Sequence, residues 1–149
     1  MNSLYDSSTL DGVLRRLDAL APSSRSAWGK MGVAQMMAHC ATTVEVAAGR
    51  RSAKRLLIGR LIGPLLRKKF VDDSRFAKNS PTHPTLVITG ERDFQREKER
   101  LVEVLRGFSR GGPARCTREP HSFFGPLTPE EWGLGMYKHL DHHLRQFGV

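Results

Sequence analysis

Two histidines near the end of the chain have the spacing of a metal-binding pair. His139 and His143 lie four residues apart, so on a helix their side chains project from one face, about 6 Å apart. His39 lies at the edge of the apolar stripe of another predicted helix. If the two helices are neighbours, three imidazoles converge inside the protein. Three histidines with water as the fourth ligand form the open arrangement of a catalytic zinc site.

The same spacing also fits an interpretation without a metal. The chain has six histidines, and chance alone places two of them four residues apart fairly often. His142 is a competing neighbour, because a separation of three residues also brings it close to His139 on a helix. In this alternative the C-terminal histidines form a solvated helix face, and His39 is a hydrogen-bonded core residue.

Four amphipathic helices are predicted to position these histidines. Apolar residues recur at helical spacing over residues 8–21, 33–48, 93–108 and 128–147. The last helix has the clearest start, because Thr128 is a good N-cap, Pro129 suits the first helical position and Glu131 completes a capping box. The chain contains no repeat and no convincing sheet pattern. These features predict one all-α domain over residues 1–149, built as a four-helix bundle.

The segment between the second and third predicted helices is the least regular part of the pattern. Residues 50–69 are basic with interleaved apolar residues and are predicted to break at Gly63-Pro64, because proline disrupts a helix interior. Residues 70–90 are predicted to form a long loop with a short extended piece at residues 86–88. In the last helix, Gly133 and Gly135 weaken helix propensity, which indicates close packing there.

Five further residues carry functional groups without a convincing pattern around them. Cys40 is expected to be a buried small residue, and Cys116 an inert surface thiol. Glu45 is expected to be a solvated charge, and Asp141 either a surface carboxylate or one that supports a ligand. His121 precedes two phenylalanines and is expected to belong to a structural loop over the mouth of the bundle.

The net charge of +9 is concentrated in one segment. The chain has 24 Lys and Arg against 15 Asp and Glu, and residues 50–69 hold eight of the bases and no acid, which leaves 16 bases for the rest. The segment has three interpretations: a solvated helix face, an amphipathic helix on an anionic membrane surface, or a rim that steers an anionic substrate or thiol. Nucleic-acid binding ranks last, because no helix-turn-helix or zinc-finger signature accompanies the charge.

Composition also bears on where the protein works. No apolar run approaches the 18 or so residues of a membrane span, since Arg60 interrupts the longest one, Leu56–Leu66. The first residues lack the basic and apolar regions of a secretory signal. Two cysteines do not make a disulfide framework. A cytoplasmic location is expected, and a homodimer is compatible with the sequence.

Three motifs resemble the DinB-like superfamily. They are Gln35–His39, Lys138–Phe147, and His121–Thr128 followed by Trp132. The third motif is similar to an uncharacterised bacterial family within that superfamily, although Ser122 stands where proline is expected. The resemblance spans most of the chain from Trp28 onward and is loosest over residues 50–90.

The resemblance implies a DinB-like four-helix bundle with a long basic insertion and loop between helices 2 and 3. It implies a divalent metal ion, zinc first and nickel second, held by His39, His139 and His143, and it leaves His142 out of the ligand set. It further implies a metal-dependent thiol S-transferase or hydrolase acting on small molecules with a low-molecular-weight thiol. The competing hypothesis is a non-catalytic binding module in which residues 50–69 contact an anionic membrane surface or nucleic acid.

Overall fold

The predicted apolar stripes form the interior of a helical bundle in a computed structural model that describes residues 2–149. Within that range the chain has five α-helices: α1 Ser7–Asp18, α2 Val33–Ala47, α3 Leu57–Val71, α4 Phe94–Gly111 and α5 Pro129–Gln146. Two 3-10 turns lie at Pro84–Leu86 and Pro113–Arg115. The same residues contain no β-strand, only an isolated bridge between His121 and Gly125. The all-α prediction is confirmed.

Helix α2 forms the centre of the bundle because most of its surface is apolar or small. It packs against α4 and α5, while α1 also contacts both of those helices. The fully buried side chains that meet in the core include Val13, Leu17, Met36, Met37, Val44, Leu101, Leu105, Met136, Leu140 and Leu144. α2 and α5, the helices that carry the three candidate ligands, are therefore packed neighbours.

The starts of two helices follow from local capping chemistry. The Thr128 hydroxyl accepts a hydrogen bond from the Glu131 backbone N–H, and the Glu131 carboxylate accepts one from the Thr128 N–H. The Asp93 carboxylate likewise accepts from the Arg96 N–H at the start of α4. These contacts satisfy backbone donors that have no partner inside a helix, and both predicted starts are confirmed.

Close packing explains the glycines in α5. A methyl group on Gly135 would overlap the ring of Phe70, and one on Gly133 would lie 2.6 Å from the ring of Tyr5. Phe70 belongs to α3, so the missing side chain at Gly135 lets α3 approach α5. The prediction that these glycines mark close packing is confirmed.

Between α2 and α4 one local prediction is wrong and another holds only in part. α3 continues through Gly63-Pro64 instead of breaking there; proline removes only one backbone donor, and packing of Gly59 and Gly63 on the backbone of Phe123 supports the helix on both sides of it. Of the short extended piece expected at residues 86–88, Leu86 instead ends the 3-10 turn Pro84–Leu86, while Val87 after it has extended dihedral angles. In that turn the His83 ring accepts a hydrogen bond from the Thr85 N–H, which closes the backbone locally.

None of the helices in the described part of the chain has the length and apolar character needed to span a membrane.

Candidate metal centre

Three imidazoles meet between α2 and α5. One ring nitrogen from each of His39, His139 and His143 lies within 4.8 Å of the others. His39 and His143 are buried, at 3% and 7% exposure, while His139 keeps part of its surface in solvent. The one-turn separation on α5 places two rings beside each other, with centroids 4.7 Å apart, and His39 faces both from α2. The structure therefore brings together all three residues predicted from the sequence.

The orientation of His39 is set by a backbone carbonyl. Its Nδ1 donates a hydrogen bond of 2.9 Å to the carbonyl oxygen of Leu86, which the 3-10 turn Pro84–Leu86 presents to α2. A carbonyl can only accept, so the proton of the neutral ring sits on Nδ1. Nε2 of His39 is therefore unprotonated and faces the other histidines, as in metal-ligating histidines whose second nitrogen is hydrogen-bonded.

His143 is oriented in the same way by a side-chain amide. Its Nδ1 donates a 2.8 Å hydrogen bond to Oε1 of Gln146. The amide cannot be turned around, because Nε2 of Gln146 donates to the carbonyl of Trp28 at 2.7 Å. Gly29, with φ at 78°, lets the loop approach, since a methyl group there would lie 2.7 Å from that amide nitrogen. His143 thus also presents a free Nε2 lone pair.

The third ring, His139, is held by the cluster itself. Its Nε2 lies 3.0 Å from Nε2 of His39, and its buried Nδ1 has no hydrogen-bond partner among the described residues. Because the proton of His39 sits on Nδ1, this contact is satisfied either by Nε2–H of His139 donating to Nε2 of His39 or by a cation bound by both nitrogens. Together with the fixed rings of His39 and His143, this gives a set of neutral nitrogen donors suited to a divalent ion such as zinc.

Burial keeps these rings neutral. It lowers the pKa of His39 and, with the neighbouring His39 ring contributing, lowers the pKa of His143 to about 3. The pKa of His139 is well below its ordinary value, first because of burial and then because of the adjacent imidazoles. Metal ligands must be unprotonated, so the environment holds all three rings in the binding form at neutral pH.

His142 lies outside the cluster. Its ring packs near Trp28 and Phe76, with centroid distances of 5.6 and 6.0 Å, and against the edge of His143. It borders a surface cavity of about 740 Å³ that is lined by both acidic and basic side chains, including Asp72, Arg75, Lys78, Lys138 and Arg145. The cavity has room for a small molecule, but His39, His139 and His143 do not line it.

His121 has the structural position expected from the sequence. Its Nδ1 accepts hydrogen bonds from the backbone N–H groups of Phe123 and Phe124, and its ring packs near Phe70 and Trp132. Burial lowers its pKa to about 4, with a further contribution from His83. It organises the 121–125 loop.

Two predictions about other functional groups are wrong, and two agree with the structure. Cys116 is buried rather than at the surface, and Glu45 is largely buried, bound by both Arg51 and Arg100. Cys116 and Glu45 are covered by a loop or by long side chains, and helical spacing in the sequence does not predict such tertiary coverage. Cys40 is buried as expected, and burial raises its thiol pKa. Asp141 pairs with Arg16 and Arg145 and takes no part in the histidine cluster.

Two contributors to the site were not found from the sequence. Gln146 follows His143 by three residues on α5, which is the spacing of side chains that meet on one helix face, so a search for polar groups one turn away would have found it. The Leu86 carbonyl has no such signal. It is a backbone atom in a turn that lies 47 residues from its partner His39.

A family model described as a protein of unknown function (DUF1569) matches residues 2–148, nearly the whole chain. No curated protein and no solved structure shows significant similarity to it.

Proposed function

The chain belongs to the DUF1569 family, and we propose that it is a DinB-like bundle that binds a divalent metal ion through His39, His139 and His143. The preferred ion is zinc, with nickel second. The proposed activity is that of a metal-dependent thiol S-transferase or hydrolase acting on small molecules.

The main support for the proposal is the protonation and orientation of the three imidazole rings. His39 and His143 each have Nδ1 committed to an oxygen acceptor, so both direct an unprotonated Nε2 into the cluster. A core histidine with only a structural role needs no such convergence, and Nε2 of His139 also lies 3.0 Å from Nε2 of His39. Binding a cation gives the arrangement a purpose that hydrogen bonding alone does not.

Three protein ligands leave room for a further one. A divalent ion held by His39, His139 and His143 would lower the pKa of a thiol or water molecule in the remaining position, which is the chemistry of S-transfer and of hydrolysis. The chain's own residues orient the ligands through Leu86 and Gln146 and keep the rings neutral by burial. His139 is the one ligand that keeps part of its surface in solvent, so a small molecule would approach from its side.

The resemblance to the DinB-like superfamily supports the same assignment. The motifs Gln35–His39 and Lys138–Phe147 contain the three ligands, and relatives with assigned activity use such a metal to activate a low-molecular-weight thiol. A thiolate, rather than a thiol, is the nucleophile. The proposal therefore places the thiol, and not a protein cysteine, at the centre of the reaction; burial of Cys40 raises the pKa of its thiol, which makes it inert.

Cobalt substitution tests the thiol part of the proposal. Protein loaded with Co²⁺ is titrated with 2-mercaptoethanol, and we expect a near-ultraviolet charge-transfer band that appears only when the thiol is added. His139→Ala should abolish the band, whereas the matched variant His142→Ala should retain it. Cobalt-loaded parent protein that develops no such band would contradict thiol activation.

A further inference from the structure

Helix α3 exposes an apolar face that the bundle does not use. Leu57, Leu61 and Leu65 are 80%, 76% and 81% exposed, and Ile58 is 54% exposed. Leu57, Leu61 and Leu65 recur every four residues, so with Ile58 they form one stripe along the outer side of the helix. Contiguous exposed apolar surface of this kind marks an interaction site.

The opposite face of α3 is fixed against the protein, so the stripe cannot turn inward. Gly59 and Gly63 are buried, and a methyl group on Gly59 would lie 2.7 Å from the backbone of Phe123. At Gly63 the added methyl would overlap the Phe123 carbonyl oxygen. Only glycine lets the helix backbone approach this loop so closely, and the approach holds the leucines outward.

Basic side chains border the stripe on both sides. Arg60 and Lys69 lie on opposite flanks by helical geometry, and Lys68 follows Leu65 on the same face. All three are exposed, as is Lys54 just before the helix. Among residues 2–149 none of the four forms an ion pair, and the chain from residue 50 to residue 71 contains no acid.

The basic residues around the apolar stripe of α3 indicate which kind of partner this face can bind. A second copy would bring the same acid-free segment against itself in a two-fold interface, which repulsion disfavours. An aliphatic centre with bases on both flanks matches a helix lying in the headgroup region of an anionic bilayer. There, leucines enter the acyl boundary and long basic side chains reach the phosphates.

We propose that α3 docks the protein on an anionic lipid surface, with Leu57, Leu61 and Leu65 inserted and Arg60, Lys68 and Lys69 on the headgroups. The docking face is formed by α3 and is separate from the histidine cluster between α2 and α5. It needs no metal ion, so its test stands apart from that of the proposed function.

Vesicle co-sedimentation of the full chain tests the proposal. We expect binding to phosphatidylcholine vesicles that contain phosphatidylglycerol, little binding to pure phosphatidylcholine, and weakening by added salt. The variant Leu57→Ser/Leu61→Ser/Leu65→Ser should lose at least about tenfold in partitioning, because each serine removes buried apolar area. Val87→Ser, at a valine that is 54% exposed outside α3, is the matched control and should bind as the parent does.

The contribution of the basic side chains is tested by comparing two triple glutamine variants, one on α3 and one elsewhere on the surface. Arg60→Gln/Lys68→Gln/Lys69→Gln should also lose at least about tenfold, while Arg92→Gln/Arg96→Gln/Arg110→Gln, with the same change in net charge on exposed residues elsewhere, should lose much less. In addition, Leu61→Trp should show blue-shifted emission on anionic vesicles, relative to the parent spectrum.

Three results would overturn the proposal. One is no binding of the parent to anionic vesicles, and another is parent-like binding by the triple serine variant. The third is a concentration-dependent dimer that the triple serine variant loses, since a second copy would then cover the face. Retention of the chain by an acidic protein while vesicles fail to bind would assign the face to a protein partner instead.

Discussion

At the scale of single residues, the candidate site depends on atoms next to the ligands as much as on the ligands. His39 and His143 owe their free Nε2 lone pairs to the Leu86 carbonyl and to the Gln146 amide. Histidine types and spacing indicated which residues to examine. They did not indicate which nitrogen of each ring carries the proton, because that depends on acceptors contributed by distant parts of the fold.

Gln146→Ala is predicted to lower metal affinity by about 10- to 100-fold, because His143 loses the acceptor that fixes its tautomer and ring orientation. Gln146→Glu should bind more tightly than the alanine variant but less tightly than the parent, because a carboxylate still accepts from Nδ1 but cannot donate to the Trp28 carbonyl. Competition against a chromophoric chelator measures both. Gln95→Ala, an exposed glutamine on α4, is the control, and an alanine variant at position 146 that matches the parent would show that the amide does not support the site.

At the scale of elements, the long periodic helices were predictable and the insertion was not. The starts of α4 and α5 follow from Asp93 and Thr128, whose caps are local and visible in sequence. The path of α3 is determined by contacts with residues far away in the chain. Gly59 and Gly63 pack on the backbone of Phe123, and the ring of Phe70 packs on Gly135. Local rules predicted a break at Gly63-Pro64 because they contain no information about such contacts.

Gly63→Ala is predicted to destabilise the protein by about 1–3 kcal/mol, because the added methyl overlaps the Phe123 carbonyl and forces α3 away from the loop. Gly12→Ala in α1 is the matched control. A methyl group there meets only the end of the flexible Arg15 side chain, at 3.9 Å, so helix propensity predicts a gain of about 0.5–1 kcal/mol. Urea unfolding measures both, and equal unfolding free energies for the two variants would contradict the packing account of α3.

At the scale of the whole molecule, charge and candidate chemistry occupy different places. Eight of the 24 bases lie in residues 50–69; some border the apolar outer face of α3, whereas Arg50 lies against α4 and Arg51 pairs with Glu45 of α2. The three histidines lie between α2 and α5, where burial lowers their pKa values. Most of the net charge of +9 therefore comes from one segment of the chain that contains none of the candidate ligands. The sequence patterns located the basic segment and the histidine pair. Only the folded chain showed that the apolar face of α3 is exposed to solvent, whereas His39 and His143 are buried.

Metal stoichiometry tests the central claim most directly. Untagged protein, stripped with chelator and dialysed against zinc, is analysed by mass spectrometry for metal per chain, with circular dichroism to verify that each variant is folded. The account predicts one zinc ion per chain for the parent and for the control His142→Ala. It predicts loss of the ion in His39→Ala, His139→Ala and His143→Ala. Folded His139→Ala and His143→Ala proteins that hold as much zinc as the parent would contradict the assignment of the site.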